Sequence, residues 1–285
     1  MRPHDFEVGG IRLGYHEPVV VETVDFGDLD FRTQDVTHPR DDRVLFGRDY
    51  LTPPVWTLSL ATNPATFAGG LDSMAKVEGV WANAARKSPG WYTWLRYERA
   101  GEVRRVPGRP RKFSRSHTKT FRHGVIKATA EFQRLDTKTY GDESQSVRLT
   151  TVPGSVGGYT FPIIFPWGTK KTGGLRQGSV VVEGTTSTPA TVVIHGPVKS
   201  PVVTGPGWRL SFPKLTLAYD QQITVDPRSQ SVRRGDGASM VGYMGKFYFD
   251  QLVMKPGTQE ITFSGVDDSG TGWARVSWFP AYQGM

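Results

Sequence analysis

The sequence predicts a mainly β protein of two domains, with one helix in the first and a β-sandwich in the second. Three observations carry this prediction. Of 285 residues, 33 are Gly and 20 are Pro, and they punctuate short apolar runs rich in β-branched and aromatic residues. A single stretch breaks that rhythm with helical spacing. A polar passage over residues 137–158, ending in Pro153-Gly154-Ser155-Val156-Gly157-Gly158, then separates the helix-bearing part from a remainder of short strands and turns.

Taken in order, Val19-Val20-Val21 and residues 55–60, 91–97 and 124–135 read as strands, followed by 179–183, 191–195, 222–226, 247–249 and 260–264. In the last of these Ile261 and Phe263 face one way, while Glu260, Thr262 and Ser264 face the other, as in a half-buried strand. Over 273–279, Ala274, Val276 and Trp278 share the predicted core face; Trp273, Arg275, Ser277 and Phe279 share the other. Between 67 and 86, Leu71, Met74, Ala75, Val77 and Trp81 recur at three-to-four-residue spacing, with Ala82, Ala84 and Ala85 adding helix propensity. Asn63-Pro64 supplies the start signal and Ser88-Pro89-Gly90 the stop. The predicted domains are 1–145 and 146–285.

Composition narrows the function. Eight Trp, ten Tyr and fifteen Phe suffice for a sizeable core, and with no Cys there is no disulfide, thiolate metal site or thiol nucleophile. The opening Met-Arg-Pro-His-Asp-Phe-Glu has no apolar h-region, so no secretory signal is expected, and no apolar run approaches a membrane span. The net charge of +8 is concentrated. Residues 96–134 carry twelve Lys and Arg against Glu98, Glu102 and Glu131, a net +9, which leaves the rest of the chain at −1.

Candidate chemistry is sparse. Asp25, Asp28 and Asp30, Asp41-Asp42 and Asp267-Asp268 could supply paired carboxylates, but they sit in turn-like contexts where Asp serves as a cap. His4, His16, His38, His117, His123 and His195 show no metal-ligand spacing, and no G-x-S-x-G elbow is present. The Gly-rich loops 154–158 and 168–174 lack the Walker pattern and a following helix, so they read as turns. Asp25-Phe26-Gly27 and Arg234-Gly235-Asp236 are three-residue matches, the second read as a loop tip. The basic segment, from Val103-Arg104-Arg105 through Gly108-Arg109-Pro110-Arg111-Lys112-Phe113-Ser114-Arg115, suits a protein interface, a solvated face or a nucleic-acid groove. Trp91, Trp94, Trp167, Trp208, Trp273 and Trp278 read mainly as core, with a sugar-stacking platform as the alternative.

The order of pieces is informative: Phe46-Gly47-Arg48-Asp49-Tyr50, the strand 54–60, the helix, Trp91-Tyr92-Thr93-Trp94-Leu95-Arg96-Tyr97, Gly108-Arg109-Pro110-Arg111-Lys112-Phe113, and the ending Ala274-Arg275-Val276-Ser277-Trp278-Phe279-Pro280-Ala281-Tyr282. In this order the chain resembles the distal tail proteins (minor tail proteins) of long-tailed, non-contractile bacteriophages. The resemblance implies a tail-tube-like β-sandwich or split barrel with one helix at residues 1–145 and a galectin-like β-sandwich at 146–285. It further implies a structural virion protein with no enzymatic activity and no cofactor, forming a ring, usually a hexamer, that joins the tail tube to the tail-tip or baseplate hub and lets DNA pass. The implied partners are further copies of itself, the tail tube protein, and the hub and tape-measure proteins, with no sequence-specific nucleic acid and no stable membrane association. The implied location is the virion tail tip, assembled in the host bacterial cytoplasm. Candidate ring or tube contacts are Arg48, Asp49, Tyr50, Arg104, Arg105, Arg109, Arg111, Lys112 and Arg115. Since a +9 segment lining a DNA channel would grip phosphates, these arginines are expected against protein or outside the lumen.

The second half lacks the His-Asn-Arg and Trp-Glu-Arg set of sugar-binding galectins, which argues against sugar binding despite the implied fold. A carbohydrate-binding or carbohydrate-cleaving sandwich, with Trp208 or Trp273 as platform, is the alternative function. A nucleic-acid binder using Arg104 to Arg115 is a third.

Overall fold

The computed structural model describes residues 5–63, 67–116, 125–151 and 177–284. Pro64, His4, His117, His123, Trp167 and the two Gly-rich loops lie outside them. The chain forms two compact units, Met1–Asp142 with Tyr282–Met285, and Glu143–Ala281. The last four residues thus belong to the first unit, where Thr139 Oγ1 donates to the Gly284 carbonyl at 3.0 Å.

The first unit is built on an antiparallel sheet. Its strands run in the order Ile11–Leu13, Phe6–Val8, Thr93–Arg99, Glu102–Ser116, Lys127–Arg134, Val55–Thr62 and Val19–Asp25, with Lys138–Gly141 also pairing with 102–116. Alternation in 55–62 and 127–134 buries Trp56, Leu58, Leu60, Ala128, Ala130 and Phe132 on one face. Against that face packs the helix Phe67–Ala85, close to the predicted span, which presents Met74, Val77, Trp81 and Ala84. The Trp81 indole donates to the Glu131 carbonyl at 3.0 Å, tying helix to sheet.

The 102–116 strand carries Pro107 and Pro110, which a strand laddered on both sides cannot accommodate. The pairing resolves the conflict. Residues 102–108 pair with 93–99, residues 108–116 pair with 127–134, and the register shifts between Pro110 and Phe113. The strand changes partners at Gly108, where an added Cβ would lie 2.3 Å from the Gln133 carbonyl oxygen and 2.4 Å from Phe132.

The second unit is a sandwich. One sheet orders Gln145–Thr150, Trp273–Trp278, Thr188–His195, Gln222–Asp226 and Ser231–Arg234; the other orders Gln177–Val182, Gly257–Val266, Val198–Gly205 and Trp208–Ser211. Both contribute to one core, with Ala274, Val276, Ile194 and Val225 from the first meeting Ile261, Phe263, Val203 and Leu210 from the second. Ala274, Val276 and Trp278 do face the core. Residues 247–249 are not a strand: Phe249–Gln251 is a 3-10 turn. Phe247 and Phe249 pack against the core while Tyr248 is exposed, an alternating burial pattern without a ladder.

Candidate functional site

The fold disperses the basic segment into local contacts. Arg104 ion-pairs with Glu102 and lies 3.6 Å over the Tyr282 ring. Arg105 pairs with Asp142 at 2.5 Å and stacks on Trp94. Arg109 donates to the carbonyls of Ala84 (2.8 Å) and Lys87 (3.2 Å), placing a cation where the helix dipole is negative. Arg115 pairs with Glu78 on the helix. Lys112 approaches Glu131 at 3.5 Å but stays exposed, as does Arg111. Arg96, at the start of the segment, grips both Asp142 oxygens at 2.8 and 2.5 Å and reaches Glu7 at 3.2 Å. Burial alone would raise the Asp142 carboxyl; hydrogen bonds from Arg96 and Arg105 outweigh it and hold it below its ordinary value.

The other predicted residues, Arg48, Asp49 and Tyr50, belong to a feature that the sequence reading did not anticipate. Between the strands 19–25 and 55–62 the chain leaves the sheet as an arm. Two short ladders order it, Asp30–Arg32 with Tyr50–Thr52 and Val36–Thr37 with Val44–Leu45. Its root turns at Gly27, whose φ of +69° a side chain rarely adopts and whose added Cβ would meet the Val55 carbonyl at 2.8 Å. Asp35 accepts the Gly47 N–H at 2.9 Å, and Tyr50 lies between Arg32 and Arg48, each about 5 Å from its ring centre. No residue from 27 to 54 is buried. Phe46 is 88% exposed, and Leu29, Phe31, Val36 and Leu45 are all more than half exposed. A two-stranded ribbon with an apolar surface is marginal in water by itself and marks a place for a partner. The one sequence signal was the apolar triplet Val44-Leu45-Phe46 inside an otherwise charged stretch.

In the second unit the candidate groups are engaged in structure. Trp208 is buried and donates to the Val253 carbonyl at 3.1 Å. Asp267 is buried, accepting from Thr151 Oγ1 at 2.5 Å, the Gly272 N–H at 2.7 Å, and Ser269. Burial would raise its carboxyl, and these bonds reverse the sign to a net lowering. In Arg234-Gly235-Asp236 the two charged side chains pair with each other at 2.5 Å, and the hydrogen bonds that the Asp236 carboxylate accepts from Arg234 and from the Ala238 N–H pull its carboxyl down to about 2. Asp25 accepts the Gly27 N–H at 2.9 Å, and His38 Nδ1 the Arg40 N–H at 3.3 Å, both local turn contacts. Among the described residues no three His, Asp or Glu cluster as a metal site, and no helix is long and apolar enough to cross a membrane.

No family model and no curated protein matches the sequence. Solved structures do match its fold. The SPP1 Dit protein (gp 19.1), described as a paradigm of the hub adsorption apparatus in phages infecting Gram-positive bacteria, aligns with a TM-score of 0.58 at 11% identity, over 98% of this chain and 99% of its own. A chain of the phage P2 baseplate in its activated conformation with Ca aligns at 0.55 and 10% identity, over 97% and 98%. The p2 baseplate with Sr gives 0.54 and 10%, over 96% and 97%. The chain shares a fold with these proteins at nearly full length.

Proposed function

We propose that this chain is a structural subunit of a bacteriophage tail tip, a distal tail protein six copies of which close into a ring between the tail tube and the baseplate hub, with DNA passing through the lumen. The observation that carries the reading is the fold correspondence through both units, end to end, with hub and baseplate proteins of phages. The arm supports it. A ring needs two different patches on each subunit, and an ordered apolar ribbon without a core is suited to be one of them. Within the arm, Arg48, Asp49 and Tyr50 lie beside the apolar ridge. Of the basic strand, Arg111 and Lys112 keep their heads exposed, while Arg104, Arg105, Arg109 and Arg115 act first inside the subunit. In this reading the protein turns over no substrate, and its partners are its own copies, the tube protein, and the hub and tape-measure proteins.

The test is light-scattering mass on purified protein, with negative-stain images of the same peak. Rings near the mass of six 31.6 kDa subunits, roughly 190 kDa, support the proposal. A protein that stays monomeric both alone and when mixed with tube and hub proteins overturns it.

A further inference from the structure

The outer face of the first sandwich sheet carries a pair of like charges with no counter-charge beside them among the described residues. Arg148 on 145–150 and Arg275 on 273–278 are Cα partners, and both alternate with buried residues, so they stand side by side on the solvent face. The indole of Trp273 holds both, with the Arg148 guanidinium 4.6 Å and that of Arg275 5.4 Å from the ring centre. Trp273 is itself the cross-strand partner of His195, whose ring stacks on it at 5.0 Å and 6°. The strand of Arg148 and the strand of His195 lie on opposite sides of the Trp273 strand, so the indole is sandwiched. A neutral sugar has no free ring face here to stack on.

Two guanidiniums opposed across a ladder repel, and among the described residues nothing acidic offsets this. By register, their neighbours on the face are Ser146, Ser277, Thr150, Thr191, Val193 and His195. Among the described residues neither arginine has a carboxylate partner. A guanidinium held within about 6 Å of an indole ring by cation–π attraction is restrained in position and still has N–H donors to offer an anion in a bidentate manner. Two such guanidiniums, restrained and adjacent, match the charge and several oxygens of a phosphate better than the single charge of a carboxylate. The hydroxyl side chains around them suit the hydroxyls of whatever carries it.

We infer that Arg148 and Arg275, held by Trp273, form a binding site for the phosphate group of a phosphorylated polyol. The site lies wholly within the second unit and does not depend on ring assembly.

The test follows the Trp273 indole N–H resonance, assigned with Trp273→Phe, at constant ionic strength. Inorganic phosphate, glycerol phosphate and a short oligomer of glycerol phosphate replace chloride in turn. A saturable shift is expected, weakened at least about tenfold by Arg148→Gln or Arg275→Gln and abolished in the double variant. Glycerol phosphate should bind more tightly than inorganic phosphate. A further gain with the oligomer identifies a polymer as the source, and equal affinity per phosphate identifies a free small molecule. The double variant should melt in chloride no lower than wild type, since it removes a repulsion. No saturable shift up to about 50 mM phosphate, or a shift that survives in the double variant, overturns the site. Should the variants fail to fold, the wild-type comparison of phosphate with chloride still decides.

Discussion

Replacing Leu45 and Phe46 together by Ser separates a residue that serves folding from one that serves assembly. Leu45 is 58% and Phe46 88% exposed, so neither contributes appreciably to the fold of the subunit. Exposed substitutions of this kind shift folding stability by no more than about 0.5 kcal/mol. Burying a large apolar side chain completely is worth about 1.5–3 kcal/mol. Scaled by the exposed fractions, the pair would bring about 2–4 kcal/mol to a contact between subunits. Losing that weakens the contact by about 30- to 1,000-fold at each ring interface. The assay is mass photometry over a concentration series beside a thermal melt. The expected result is an unchanged melt with ring formation moved to far higher concentration. Rings persisting at wild-type concentrations would show that the arm does not join subunits. A melt lowered like that of a core variant would show that the arm belongs to the fold after all.

Three further outcomes are expected. Gly108→Ala should cost about 1–3 kcal/mol in a urea melt, because the methyl group meets the Gln133 carbonyl where the strand changes partners; a neutral result would mean that the bend relaxes freely. Asp142→Asn should cost about 1–3 kcal/mol at neutral pH by weakening the hold on Arg96 and Arg105. Since that carboxyl is lowered in the folded state, its stabilisation is present above the ordinary carboxylate range and is lost as pH falls through the folded value, so wild type and variant should converge in acid. Carboxyl resonances in a pH titration should place Asp236 at about 2, returning toward 3.8 in Arg234→Gln; an unchanged midpoint would assign the lowering to the Ala238 N–H instead.

What the sequence disclosed follows the length scale of each signal. The helix was legible because its apolar spacing and its stop at Ser88-Pro89-Gly90 are local, and the structure ends it at Ala85. The core faces of 257–266 and 273–278 were legible because alternation is local too. The triplet 247–249 misled because a short aromatic run can pack against a core without a ladder partner. The arm escaped for a related reason. Its strands are two or three residues long, and they pair across a loop whose charged residues read as surface. The opposed arginines at 148 and 275 became visible only with the register, since 127 residues of chain separate them and nothing local signals that they meet.

The same limit governs the charge. Counted along the chain, residues 96–134 are a +9 block, and such a block suggests a polyanion. In the fold the compensating acids come from elsewhere. Glu7 and Asp142 meet Arg96, Asp142 also holds Arg105, Glu78 on the helix meets Arg115, and Glu22 takes Lys127 at 2.8 Å. Each pair lies within a few ångströms, well inside the screening length of about 8 Å at physiological salt, so the paired heads project little field into solvent. A nucleic-acid groove needs free cations in a row, and among the described residues of the block most are consumed in fastening strand to helix and strand to strand. An opposed pair of cations with no carboxylate partner among the described residues lies instead at Arg148 and Arg275, two residues whose sequence surroundings are not basic at all. Surface charge is a property of register and packing, and it was there, rather than in the basic block, that an anion's site emerged.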